Sequence, residues 1–276
     1  MITENTISGS DAAVLAQKAR LEILQMTSRA NASHVGSALS VVDILATLYC
    51  GAANISPETH DRNFRDVVIL SKGHSAAALY SILALQEFFP RSWLKNYCQN
   101  GAELGGHVTS TGVTGIELST GSLGHGLPYG TGVALARKLD KISGKIFVVI
   151  SDGECDEGTT WESALIANQH ALNNLIVIID RNGIQSLGST EETLRLEPLA
   201  DKWKSFGWKT ITVNGHNYSE LESAVNQHAD GPLCVIAETI KGKGVSFMEN
   251  SVLWHYRSPD ESQLKLALDE VRGSRS

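Results

Sequence analysis

Lys145-Ile-Phe-Val-Val-Ile150 runs straight into Ser151-Asp-Gly-Glu154, and Leu175-Ile-Val-Ile-Ile179 runs into Asp180-Arg-Asn-Gly183. Each is an unbroken apolar, β-branched run that ends in polar residues and glycine. A run of that length and composition reads as a strand buried on both faces. Trp161 to Leu172 lies between the two runs and reads as a helix, so the segment is a βαβ unit. Working outward, Asp66 to Leu70, Trp208 to Val213 and Leu233 to Ala237 read as further strands. Helices are predicted over Asp11 to Arg29 with Asp11 as N-cap, then Val41 to Tyr49, Ala76 to Leu85, Gly130 to Leu139 and Glu220 to His228. Alternating strands and helices define an α/β fold, a parallel sheet with helices on both faces. Ligands of such sheets sit at the carboxyl ends of the strands.

The chain of 276 residues accommodates one large domain or two small ones. A net charge of −7 argues against a nucleic-acid partner, which needs a basic stripe. No apolar run is expected to approach the roughly 20 residues that span a bilayer. Met1 to Gly9 is polar and lacks the order of a signal peptide. Cys50, Cys98, Cys155 and Cys234 are scattered and form no CxxC pair, as in a cytoplasmic protein with reduced thiols. The only low-complexity stretch is the polar tail Arg272 to Ser276.

Two adjacent strand ends would present Asp152 and Asn182 at one edge. A carboxylate, an amide carbonyl and a backbone carbonyl form the hard oxygen set that Mg²⁺ or Ca²⁺ prefers. Gly153 would let a diphosphate approach the backbone. Asp152 could equally cap the helix that follows, and spacing alone leaves both readings open. Ser119 to Gly126 has glycines at 121, 124 and 126 before a helix, which suits an anion cradle or a plain turn. His34, His74, His107, His125 and His255 stand among small residues and are candidates for one shared cleft. His60, His170, His216 and His228 stand in ordinary surface-like contexts and receive no role.

The run Ser151-Asp-Gly-Glu-Cys-Asp-Glu-Gly158 to Asn182 resembles the thiamine-diphosphate motif. More narrowly, the chain resembles the N-terminal, diphosphate-binding part of transketolase. The resemblance rests on Ser33-His34-Val-Gly-Ser37, Leu70-Ser-Lys-Gly-His74, Gly106-His107, Ser119-Thr-Gly-Ser-Leu-Gly124 and Lys241-Gly-Lys-Gly244 with His255. It implies a single diphosphate-binding domain over residues 1–276, with a core of about 10–260. It implies Mg²⁺, with Ca²⁺ as a substitute, on Asp152, Asn182 and the Ile184 carbonyl. It implies thiamine diphosphate against Ser37, His74, Gly121, Ser122, Leu123, Gly153, Asn182, Lys241 and His255. His34, His74, His107 and His255 would serve the reacting carbons. Glu157 resembles the glutamate that couples paired active sites across a dimer interface.

The sequence departs from the pattern at Ser151 for a glycine, Val35 for a proline and His125 for a glutamine. The resemblance covers no pyrimidine-binding or C-terminal domain. It therefore implies a split transketolase, active only with a C-terminal partner subunit in an α2β2 assembly, acting on sugar phosphates. A split transketolase for a branched or modified sugar is the main alternative. Deoxyxylulose-phosphate-synthase-like, 2-oxoacid-dehydrogenase-like and non-catalytic scaffold readings rank behind it.

Overall fold

The computed structural model describes residues 9–273. Met1 to Ser8 and Ser274 to Ser276, which include most of the polar N-terminal stretch and the end of the polar tail, lie outside the described residues. Helices α1 (Gly9–Ala30) and α2 (Val35–Thr47) precede strand β1 (Val67–Leu70). Then follow α3 (Ala76–Leu85), α4 (Gly126–Asp140), β2 (Ile146–Ser151), α5 (Gly158–Gln169) and β3 (Leu175–Arg181). The chain continues through α6 (Thr190–Thr193), α7 (Leu199–Ser205), β4 (Lys209–Asn214), α8 (Tyr218–Val225), β5 (Leu233–Glu238), α9 (Leu253–Tyr256) and α10 (Glu261–Gly273).

The five strands form one parallel sheet in the order β1-β2-β3-β5-β4. Successive side chains of a strand leave opposite faces, and the two cores follow that parity. Val68, Leu70, Phe147, Val149, Ile176, Ile178 and Val235 join the core beneath α1, α2, α3, α8 and α10. Val67, Ile69, Ile146, Val148, Ile150, Val177, Ile179 and Ile236 join the core beneath α4, α5 and α7. Both faces are covered, which is why the central strands read as continuous apolar runs rather than alternating ones.

Four details correct the sequence reading. Helix α1 begins at Gly9, so Asp11 lies in its first turn, where a carboxylate favours the helix dipole, and is not the N-cap. Helix α2 begins at Val35, not Val41, and all of it is buried. Its small polar residues Ser37 and Ser40 hid the helical pattern because they face partners inside the fold. Helix α10 extends over a stretch with no assigned element; Ala267 and Val271 are buried and Gln17 donates to the Val271 carbonyl. Finally, Val35–Ala52 is apolar and long enough to span a bilayer, with mean hydropathy 1.6. It is nevertheless 89% buried inside the fold, as a core helix is.

Candidate active site

Pairing of Ser151 with Asp180 brings the ends of β2 and β3 into line. The residues just beyond, Asp152 and Asn182, line the same cavity of about 230 Å³. His34, Ser37, His74, His107, Gly121, Leu123, Gly153, Ile184, Lys241 and His255 line it too. Residues from eight separate stretches of the sequence therefore meet at the carboxyl edge of the sheet. Ser151, the motif's departure from glycine, lines it too, and so do Gln185 and Ser186, which were not singled out from the sequence. They neighbour predicted positions, which was the only signal available.

Asp152 is 2% exposed. Its Oδ2 accepts the Gly183 amide at 2.7 Å and faces Arg181 at 3.3 Å, while Oδ1 accepts its neighbour Gly153 at 2.9 Å. Burial pushes its carboxyl above the ordinary range, opposed by the Gly183 amide. The Asn182 Oδ1 accepts the Ile184 amide at 3.1 Å, and the Ile184 carbonyl accepts Lys241 at 3.0 Å. A carbonyl has a second lone pair for a cation. Among the described residues no three of His, Cys, Asp and Glu gather around a metal position. A cation here would lean on one carboxylate, amide and backbone oxygens, and oxygens of its ligand, which suits a metal bound together with a diphosphate. A side chain at Gly153 would project towards Gln185, so glycine keeps that wall open.

The four predicted histidines converge. The His34 ring centroid lies 5.4 Å from His74, 5.7 Å from His107 and 5.0 Å from His255. Burial lowers the pKa of His34 to about 4, helped by His107, Lys241 and Lys72. Burial and Lys241 bring His255 to about 3, and burial with Lys72 holds His74 well below its ordinary value. All three are neutral at pH 7. Lys241 is 1% exposed and lies 2.9 Å from His255 Nδ1. Burial and Lys72 lower its pKa to about 8. As an ammonium it donates to Nδ1, which leaves the imidazole proton of His255 on Nε2. His74 Nε2 meets Ser37 Oγ at 3.0 Å.

Not every predicted residue reaches the cavity. Ser122 is exposed between two residues that do, and His125 is exposed at the start of α4, where its Nδ1 donates to the Leu123 carbonyl at 2.9 Å. Glu157 is exposed at the start of α5, beside Gly124, and does not line the cavity. Its position does not support direct cofactor contact. His216, given no role, is half-buried and structural. It receives the Ile240 amide at Nε2 and donates from Nδ1 to Asp43 at 2.6 Å, beside Arg20 and Tyr218 on the same carboxylate.

Sequence reasoning also missed the buried pair Lys72–Asp180, both 0% exposed at the side chain. Burial opposes ionisation of Asp180, but Lys72 together with Thr239 and Ser40 holds its carboxyl below the ordinary range. Each partner stands in a quoted run, but they lie far apart in sequence, so nothing local announces their pairing.

A parallel sheet whose strand ends gather a carboxylate, an amide, a buried lysine and four histidines defines a protein of the cofactor-binding α/β class. The chain belongs to the transketolase N-terminal family, described as the thiamine diphosphate binding domain, which it matches over residues 12–267. It is 38% identical over 258 residues to an apulose-4-phosphate transketolase subunit of Phocaeicola vulgatus, covering 92% of each chain. It is 40% identical to a 6-deoxy-6-sulfo-D-fructose transketolase subunit of a Clostridium species, covering 90% of this chain and 91% of that one. Transketolase from Campylobacter jejuni superposes with a TM-score of 0.86 at 29% identity, over 96% of this chain and 42% of that one. The chain thus spans about two fifths of that solved transketolase and nearly the full length of the two subunits. The expected resemblance and fold class both hold.

Proposed function

We propose that the chain is the diphosphate-binding subunit of a split transketolase. With a C-terminal subunit that carries the pyrimidine-binding domain, it moves a two-carbon ketol unit from a ketose phosphate to an aldose. The observation that carries this reading is the convergence of Asp152, Asn182, the Ile184 carbonyl, Lys241 and four histidines in one cavity. The two relatives of matching length, each named as one subunit of a transketolase, support the split architecture.

Asp152, Asn182 and the Ile184 carbonyl would hold Mg²⁺, or Ca²⁺ in its place, against the diphosphate. Burial makes the Asp152 carboxylate costly when alone, and a divalent cation would offset that cost. Lys241 would contribute positive charge for the diphosphate, with Ser37, Gly121, Leu123 and Gly153 shaping the wall. Bound thiamine diphosphate supplies the electron sink for the two-carbon unit. His34, His74, His107 and His255, of which three are neutral at pH 7, would donate N–H groups to substrate oxygens and relay hydroxyl protons. Glu157 would act across a subunit interface in an α2β2 assembly. The four free cysteines support a cytoplasmic location.

The sugar is a specialised one in a second reading, favoured by the names of the two relatives of matching length, which specify apulose 4-phosphate and 6-deoxy-6-sulfofructose. The test is Asp152→Ala in the assembled complex, titrated with thiamine diphosphate and Mg²⁺ by calorimetry. Loss of Mg²⁺-dependent binding is expected. Unchanged affinity would remove the metal assignment.

A further inference from the structure

Glu154 lies two residues past Asp152 with its side chain fully buried, yet it does not line the cavity. Its carboxylate gathers donors from three segments. Ser71, just beyond β1, donates its hydroxyl to Oε1. The Gly124 amide in the glycine loop donates to the same oxygen at 3.0 Å. The Ser151 amide, at the end of β2, donates to Oε2 at 2.8 Å. Ser71 Oγ in turn accepts the Gly126 amide at 3.1 Å. A side chain on Gly126 would overlap that of Ser71, so the loop is seated as closely as a backbone can be.

The bond to Ser151 alone would make Glu154 a cap of the turn over residues 152–156. The bonds to Ser71 and Gly124 reach other segments, and a cap needs neither. We infer that Glu154 is a positioning residue: it clamps the Gly121–Gly126 loop to the Asp152 edge and so fixes the separation of the two walls between which the diphosphate binds. The inference rests on the cavity being the thiamine diphosphate site. Charge-assisted bonds to backbone amides are strong and directional, as such a clamp requires. Glu154 does not line the cavity, so it acts through the loop it holds.

Glu154→Met keeps the approximate bulk and removes both acceptor oxygens, so neither Ser71 nor the Gly124 amide keeps its partner. In the full chain without ligand, hydrogen exchange at the Gly124 and Gly126 amides should rise at least tenfold, while Val148 and Ile178 in the sheet keep their protection. In the complex with the partner subunit, the KM for thiamine diphosphate should rise at least tenfold, with kcat at saturating cofactor retained. A merely structural residue would lower the melting temperature and kcat without that split. Unchanged exchange at both glycines overturns the clamp. Faster exchange with an unchanged KM overturns its link to the cofactor. Should Glu154→Met fail to fold, Ser71→Ala removes the hydroxyl that joins Glu154 to Gly126, and unchanged exchange at Gly126 then overturns the clamp. Failure of the functional reading looks different: the unaltered complex would bind no thiamine diphosphate, while the exchange measurement would still be decisive for the clamp.

Discussion

His34 caps α2 at φ 72° and ψ 16°, a left-handed backbone that costs a non-glycine residue about 1–3 kcal/mol. Its amide donates to the His255 carbonyl at 2.9 Å, which locks that geometry and brings the two rings together. The crowding has a consequence in acid. The folded pKa values of about 4 for His34 and about 3 for His255 lie below the ordinary value near 6.5. As pH falls below about 6.5, the unfolded chain takes up protons that the folded chain refuses, so stability falls. It is fully present above that pH and declines towards pH 4. Asp43, held far below the ordinary carboxylate range because Arg20 and His216 overcome its burial, adds a separate loss only below about pH 4. Urea midpoints measured from pH 4 to 7 should show the slope, and His34→Asn/His255→Asn should flatten it. Asparagine tolerates the left-handed backbone at residue 34. An unaltered slope in the double variant would show that other groups cause it. At this scale Asp152, Asn182, Lys241 and the four histidines were legible because each sits in a motif. The roles of Lys72, Asp180 and Glu154 were not, although they stand in the same quoted runs, since each gains meaning only from a residue brought to it by folding.

Strands were more legible than helix ends. Phe147 and Ile178 on one face and Val148 and Ile179 on the other are all buried, so composition alone marked β2 and β3. The start of α2 was hidden because Ser37 and Ser40 spend their hydroxyls inside the fold, on Ser75, His74 and Asp180. Contact between the turn after β1 and the glycine run could not be read at all. A side chain on Gly73 would overlap the Thr120 carbonyl, and the Thr120 hydroxyl donates to the Leu70 carbonyl at 2.7 Å. Gly73→Ala should therefore push the two segments apart. We expect a loss of about 1–3 kcal/mol, the usual cost of forcing extra volume into a packed site. Chemical denaturation would read the loss, and calorimetry should show weaker thiamine diphosphate binding. A variant with unaltered stability and affinity would mean that the segments yield without cost.

For the molecule as a whole, a ligand that binds only the folded chain must stabilise it. Thiamine diphosphate with Mg²⁺ at a hundredfold excess over its Kd should add about 2.7 kcal/mol, read as a higher melting temperature that EDTA reverses. No shift with both present would mean that the chain alone does not bind the pair, and the same scan with the partner subunit would then decide whether the site is completed by assembly. The layer order of the fold was legible from alternating elements. The strand order, with β5 inserted between β3 and β4, was not, because nothing local encodes which strands pair at a distance.

The register of Ser151 against Asp180 also restricts how the gene can change. Side chains along a strand alternate between faces, so one added or deleted codon within 146–151 or 175–181 would reverse every position beyond it. Asp152 or Asn182 would then turn away from its opposite number, although neither had been substituted. Length variation should therefore be tolerated in the turns between strands and excluded from these two short segments. A library of single-residue insertions, scored for thiamine diphosphate binding, would map that boundary along the chain.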